Sequence, residues 1–185
     1  MYRVADLARA PNLLSLARIP LAALFPFASH DVSWALVVLG LAGLTDVLDG
    51  WLARRLGAET AIGAVVDPVA DKVFALTVMV TLVVEQRLPL WGIPALLMRE
   101  ILEAPLLAWV LIRRHRLREP VGETRANVPG KVATVAQFAA VIVAIALPRL
   151  LSPALGITAI AAGAAGVLYW VRELKRPAAS AGQAA

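Results

Sequence analysis

Six apolar stretches, each near the length that crosses a bilayer as a helix, constrain this sequence most: Asn12 to Ala28, Trp34 to Ala53, Ala61 to Val84, Leu90 to Ile112, Val132 to Leu147 and Pro153 to Val171. With 185 residues, 60% of them hydrophobic, and a mean hydropathy of +0.76, the chain carries far more apolar side chain than a soluble domain of its size needs. The expected fold class is an all-α integral membrane protein with six transmembrane helices. Arg18 interrupts the first stretch.

Basic residues orient the spans. With both termini cytoplasmic, 13 Lys and Arg fall on the inner side, and only Arg87 and Arg149 on the outer side. The positive-inside rule therefore favours an N-in, C-in, multi-pass arrangement. Arg18, Lys72 and Arg99 remain inside spans, which makes them candidates for function. The net charge of +5 sits in short loops between apolar spans, not on one solvent-facing stripe, which points to membrane lipids rather than nucleic acid as the partner. Without cysteine there is no disulfide framework and no thiolate metal site. No cleavable signal peptide is evident, so the first stretch reads as a span or as an interfacial helix leading into one.

Residues 1–176 form one expected membrane domain, and the small, polar tail 177–185 is expected to be disordered. Arg113 to Lys131 is the longest polar segment and reads as a cytoplasmic loop with a short interfacial helix. No internal repeat is evident. Gly163 and Gly166 in the last span suit close helix packing or a dimer face. Trp34, Trp91, Trp109 and Trp170 lie near span ends, as an interfacial belt requires.

Within this apolar background stand two aspartate pairs, Asp46 with Asp49 and Asp67 with Asp71. Carboxylates in such surroundings are costly, and four that converge must protonate or bind cations. Spacings of i, i+3 and i, i+4 place Asp46, Asp49 and Ala53 on one face of the second span, and Gly63, Asp67 and Asp71 on one face of the third. A short turn over Arg54 to Thr60 brings the faces together. Carboxylate oxygens are hard ligands suited to Mg2+ or Mn2+, which puts a metal site near the cytoplasmic ends of helices 2 and 3.

Written out, Asp46-Val-Leu-Asp49-Gly50-Trp-Leu-Ala53-Arg54, eight residues, Gly63-Ala-Val-Val-Asp67-Pro-Val-Ala-Asp71 resembles the signature of the CDP-alcohol phosphotransferase family at every fixed position. The resemblance implies that Asp46, Asp49 and Asp67 bind two divalent cations. It also implies that Asp71, likewise at the metal site, is the catalytic base that takes the proton of the acceptor hydroxyl. That hydroxyl attacks the phosphatidyl phosphorus of CDP-diacylglycerol, and CMP leaves. Thr45, Asp49, Gly50, Ala53, Arg54 and Gly63 are the expected CDP-binding residues, the small ones leaving room beside the helix backbones and Arg54 holding a phosphate. A homodimer in a bacterial inner membrane, its active site facing the cytoplasm, is implied as well.

Outside the signature, Pro11-Asn12-Leu13-Leu14-Ser15-Leu16-Ala17-Arg18 looks like the P-N-x-L-S/T-x-x-R opening of bacterial phosphatidylglycerophosphate synthases and related cardiolipin synthases. Arg18 then either points toward the site or snorkels to a membrane face. Pro68 frees a carbonyl four residues earlier and bends the helix at the site. Arg99-Glu100 resembles the Arg-Glu pair of the glycerophosphate enzymes, but Leu107 stands where they carry a further arginine, and Ala133 where they carry a lysine. Arg99, Arg118, Arg125 and Lys131 are the candidate acceptor-binding residues.

The expected acceptor is sn-glycerol 3-phosphate, giving phosphatidylglycerophosphate and CMP. The alternative is a cardiolipin synthase using phosphatidylglycerol, which Leu107 mildly favours. Inositol phosphate or serine ranks below both. Two non-enzymatic readings compete: a buried ion-pair network with Arg18, Lys72 and Arg99 as partners, and a cation transporter. Spans five and six hold no acidic residue to continue a transport path.

Overall fold

The structure, a computed structural model, describes residues 10–56, 63–117 and 128–174. Among them it is helical, with no strand: α1 (Ala10–Leu16), α2 (Arg18–Ala28), α3 (Val32–Leu56), α4 (Gly63–Val84), α5 (Gly92–Leu96), α6 (Met98–Leu117), α7 (Val128–Ala146), a 3-10 turn at Pro148–Leu150, and α8 (Leu151–Leu174). The chain divides into two compact units, Met1–Pro89 with Ala144–Pro148, and Leu90–Val143 with Arg149–Ala185.

Three stretches are long and apolar enough to cross a membrane, Val32–Leu52, Val128–Ala146 and Pro148–Arg172. They correspond to the second, fifth and sixth expected spans. The first expected span is α1 and α2, which together form one apolar helix, Asn12–Ala28, with a tightened turn at Ala17, whose N–H is shared between the carbonyls of Leu13 (3.0 Å) and Leu14 (3.2 Å) while its φ of −62° and ψ of −18° stay helical. The third is the 22-residue α4, whose first half carries Asp67, Asp71 and Lys72. The fourth is divided at Leu97, where φ −91° and ψ 7° leave the helical region, and α6 then opens with Arg99, Glu100 and Glu103. Charge thus falls in the first, third and fourth segments, and the fourth is also parted at Leu97.

In the first unit α1 and α2 both pack on α3 and α4. Phe25 and Phe74 meet edge to face at 6.2 Å within a core that includes Ala22, Val38, Leu39, Ala70 and Leu82. Asp31 caps α3, its Oδ1 accepting the N–H of Trp34 at 3.0 Å. Ser29 ends α2: its N–H donates to the Phe25 carbonyl, and its hydroxyl to the Pro26 carbonyl and the Glu85 carboxylate beyond α4. The chain leaves α4 with Gln86 in the left-handed region (φ 59°).

In the second unit α5 and α6 pack on α8. Ala133, Ala162 and Ala165 form a core of small side chains flanked by Met98 and Tyr169. Close approach is the reason for the small residues, since lipid supplies no hydrophobic drive between helices. A Cβ on Gly166 would lie 2.6 Å from the Leu102 side chain, and one on Gly130 would meet the Tyr169 hydroxyl, whereas Gly163 faces open space. The packing role expected of Gly166 therefore holds.

Two expectations change. Trp34 and Trp91 are exposed, as belt residues are, but Trp109 and Trp170 lie against each other at 6.2 Å, and the Trp170 indole donates to the Leu102 carbonyl at 3.0 Å. These two tie α6 to α8. The expected loop from Arg113 to Lys131 is also shorter, because α6 runs on through Arg113, Arg114 and Arg116 and α7 takes in Gly130 and Lys131. Its middle, with the expected interfacial helix, lies outside the described residues, as does the tail 177–185.

Candidate functional site

The first unit assembles the aspartates from two helices. On α3, Asp46 and Asp49 sit three residues apart, and on α4, Asp67 and Asp71 sit four apart. Pro68, inside α4, cannot donate to the Ala64 carbonyl, so one backbone bond is missing in the turn that leads to Asp67.

Arg18, the first residue of α2, stands where three of these side chains meet. Its Nη1 donates to Asp46 Oδ1 at 3.1 Å and also reaches Asp71, and its Nη2 is paired with Asp49. The Ser15 hydroxyl on α1 adds a second donor to Asp49 Oδ2 at 2.9 Å. Spacing at intervals of three places Asn12, Ser15 and Arg18 in the buried interior, where α1 and α2 pack on α3 and α4.

Exposure divides the set. The Arg18 and Asp49 side chains are 2% and 6% exposed, while Asp46 and Asp71 are 58% and 49% exposed. Asp67 is half-buried, and its Oδ1 is buried with no hydrogen-bond partner. Four carboxylates against one guanidinium leave three formal negative charges in excess (4 − 1 = 3). Such an arrangement calls for more positive charge.

Whether these residues fit a divalent cation can be judged from the donors themselves. Three carboxylates already converge on one cationic group, and a fourth has a buried oxygen without a partner, which is the hard, oxygen-only chemistry Mg2+ or Mn2+ requires. Among the described residues, no group of three or more acidic, His or Cys side chains is gathered as a ligand set as it stands. The guanidinium is the cation around which the aspartates are arranged.

The remaining expected site residues are placed as follows. The Thr45 hydroxyl donates to the Ala42 carbonyl of its own helix at 2.8 Å. Gly50 is half-buried on α3 and Gly63 is buried at the start of α4. Ala53 and Arg54 belong to the last turns of α3, with side chains outside the described set, and most of the expected turn from Arg54 to Thr60 lies outside the described residues. Lys72 is exposed.

In the second unit, Arg99 Nε donates to Glu103 Oε1 at 2.8 Å, and its Nη1 donates to Thr134 Oγ1 at 2.6 Å. Gln137 donates to Glu100 Oε2 at 3.2 Å and to the Leu96 carbonyl. This polar set links the start of α6 to α7, so Arg99 is already occupied by a carboxylate and a hydroxyl. Lys131 is exposed near the start of α7. Arg118 and Arg125 lie outside the described residues.

Of the three basic residues offered as ion-pair partners for the aspartates, Arg18 is the one that pairs with them, while Arg99 pairs with Glu103. Ser15 was not among the expected site residues. The signal for it was present: Asn12, Ser15 and Arg18 recur at intervals of three, which on a helix gives one inward face.

These features define an all-helical membrane protein with an acidic site held by an internal arginine. Residues 8–171 match the family model described as CDP-alcohol phosphatidyltransferase, and the chain belongs to that family. It is 39% identical over 133 residues to the cardiolipin synthase (CMP-forming) of Streptomyces coelicolor, covering 67% of this chain and 59% of that protein. It is 36% identical over 176 residues to a probable phosphatidylglycerophosphate synthase of Mycobacterium tuberculosis, covering 91% and 78%. A third relative, the cardiolipin synthase (CMP-forming) of Rattus norvegicus, is 37% identical over 109 residues, or 57% of this chain and 35% of that protein. The match thus spans less than two thirds of the Streptomyces relative.

Proposed function

We propose that the chain transfers a phosphatidyl group from CDP-diacylglycerol to sn-glycerol 3-phosphate, giving phosphatidylglycerophosphate and CMP. The observation that carries this reading is the convergence of Asp46, Asp49 and Asp71, which stand in the family spacing on α3 and α4, on the buried Arg18. Asp46, Asp49, Asp67 and Asp71 would hold divalent cations, Mg2+ or Mn2+, two per site. When bound, such ions stabilise the charge that develops on the phosphoryl oxygens and on the leaving CMP.

Asp71 suits the role of base because it is half exposed and open to an acceptor hydroxyl. As it takes that proton, the hydroxyl oxygen bonds to the phosphatidyl phosphorus and the phosphorus–oxygen bond to CMP breaks. Thr45, Asp49, Gly50, Ala53, Arg54 and Gly63 would line the CDP moiety, and Arg99, Arg118, Arg125 and Lys131 would bind the acceptor phosphate.

The six hydrophobic segments, α1 with α2, α3, α4, α5 with α6, α7 and α8, are read as six passages with both termini cytoplasmic, as the basic residues favour. A homodimer in a bacterial inner membrane, with its site facing the cytoplasm, completes the reading.

A second acceptor, phosphatidylglycerol, has a specific observation in its favour. Arg99 spends two donors on Glu103 and Thr134, and Leu107 supplies no further cation, which leaves less positive charge for a phosphorylated alcohol. The test is CMP release by the purified chain with CDP-diacylglycerol and Mg2+, offering each acceptor separately. Release with glycerol 3-phosphate alone is expected. Release with phosphatidylglycerol alone would make the chain a cardiolipin synthase, and release with neither would contradict both.

A further inference from the structure

Arg18 is an unusual neighbour for a cation-binding site. A guanidinium offers five donors in a fixed fork and no acceptor, so it competes with a cation for carboxylate oxygens. Here it is 2% exposed and shared among Asp46, Asp49 and Asp71. Three like charges within reach of one another repel unless something positive lies among them, and Arg18 is what the described residues provide. Yet it satisfies them unequally. Asp49 is buried, paired with Arg18 and backed by the Ser15 hydroxyl, whereas Asp46 and Asp71 are about half exposed, and a buried oxygen of Asp67 has no partner.

We propose that Arg18 is the resident cation of the carboxylate site, a positioning residue that gathers Asp46, Asp49 and Asp71, yields Asp46 and Asp71 to divalent cations, and keeps Asp49 only through its Oδ2, so that Oδ1 can still serve as a ligand. This role rests on the reading of the four aspartates as the ligands of those ions. The division follows from burial. Solvent already reaches the two carboxylates that Arg18 yields, and the one it keeps is sealed between α1, α2 and α3. Arg18 prevents the carboxylates from splaying apart, and it competes with the ion for two of them.

The competition has a measurable sign. A residue that merely holds the fold together, or that contacts only the nucleotide lipid, leaves ion affinity unchanged or weakens it on removal. A resident cation strengthens affinity on removal. The experiment is Mn2+ binding by the purified full chain in detergent, without lipid, followed by the electron paramagnetic resonance signal of free Mn2+ in wild type, Arg18→Gln and Arg18→Lys, with thermal unfolding in EDTA and in Mn2+. Arg18→Gln should bind Mn2+ about tenfold tighter or more, the equivalent of one strong charge contact removed. It should unfold at lower temperature than wild type in EDTA and recover the difference in Mn2+. Arg18→Lys, whose single ammonium cannot span three carboxylates, should fall between, and it decides the matter alone if the glutamine variant does not fold. Unchanged or weaker Mn2+ binding in a folded variant, with wild type binding normally, would overturn the role of Arg18 and leave the metal reading intact. Absence of Mn2+ binding in wild type and variants alike would overturn both.

Discussion

Two arginines lie among the polar groups of apolar helices in this chain, one in each unit, and they are balanced differently. Arg99 of the second unit meets one carboxylate, Glu103, and one hydroxyl, Thr134, and its neighbour Glu100 is met by Gln137. Arg18 of the first unit meets three carboxylates, with a fourth close by in sequence and short of a partner. The first arrangement carries one formal negative charge in excess (2 − 1 = 1), and its geometry ties α6 to α7. The second is left with three (4 − 1 = 3), a larger surplus which a stable fold has no use for. Surplus charge held inside a membrane protein marks the place where something else binds.

Mutations that leave volume intact sharpen this contrast. Asp49→Asn should have the largest effect, because it breaks the most buried ion pair while Arg18 remains inside. A loss of about 3–5 kcal/mol is expected in thermal or denaturant unfolding, together with loss of turnover. An unfolding midpoint equal to that of wild type would show that the Arg18–Asp49 pair does not hold α2 to α3. Asp67→Asn should leave the fold standing and shift the Mg2+ dependence of CMP release to higher concentration, since its partnerless oxygen is the one not spent on Arg18. An unchanged Mg2+ titration would remove Asp67 from the ligands.

Arg99→Ala should cost about 1–3 kcal/mol, the usual range for hydrogen bonds to a charged group. If Arg99 also binds the acceptor, the acceptor KM should rise more than that of CDP-diacylglycerol; equal rises would assign it to structure alone. A pair of glycine changes in α8 closes the series, with Gly163→Ala the smallest. Gly166→Ala should destabilise by about 1–3 kcal/mol through the overlap with Leu102. Gly163→Ala, facing open space, should be neutral or stabilise by about 0.5–1 kcal/mol.

The contrast between the units also separates what could be read from sequence and what could not. The aspartate faces of α3 and α4 were legible because helical periodicity and a fixed motif both act locally, within one helix at a time. The apolar runs likewise located α3, α7 and α8 to within a few residues. The tightened turn at Ala17 and the break at Leu97 were not legible, since no glycine or proline stands at either residue. Arg18 illustrates the same limit: its sequence position allowed a snorkelling residue or a site residue, and only the packing of α1 and α2 on α3 and α4 decides between them. Trp109 and Trp170 fit a belt by position, yet a contact between residues 61 apart makes them packing residues (170 − 109 = 61). For Arg99, the motif pointed to an acceptor phosphate, while Glu103 and Thr134 are its neighbours in space.

The most direct test of chemistry at the first unit's carboxylates is CMP release from CDP-diacylglycerol by Asp71→Asn beside wild type, each with Mg2+ and with EDTA, at matched unfolding temperatures. Release by wild type in Mg2+ alone, and none by Asp71→Asn in either condition, is the expected result. Release by Asp71→Asn at the wild-type rate, or by wild type in EDTA, would place the reaction somewhere other than this cluster of aspartates.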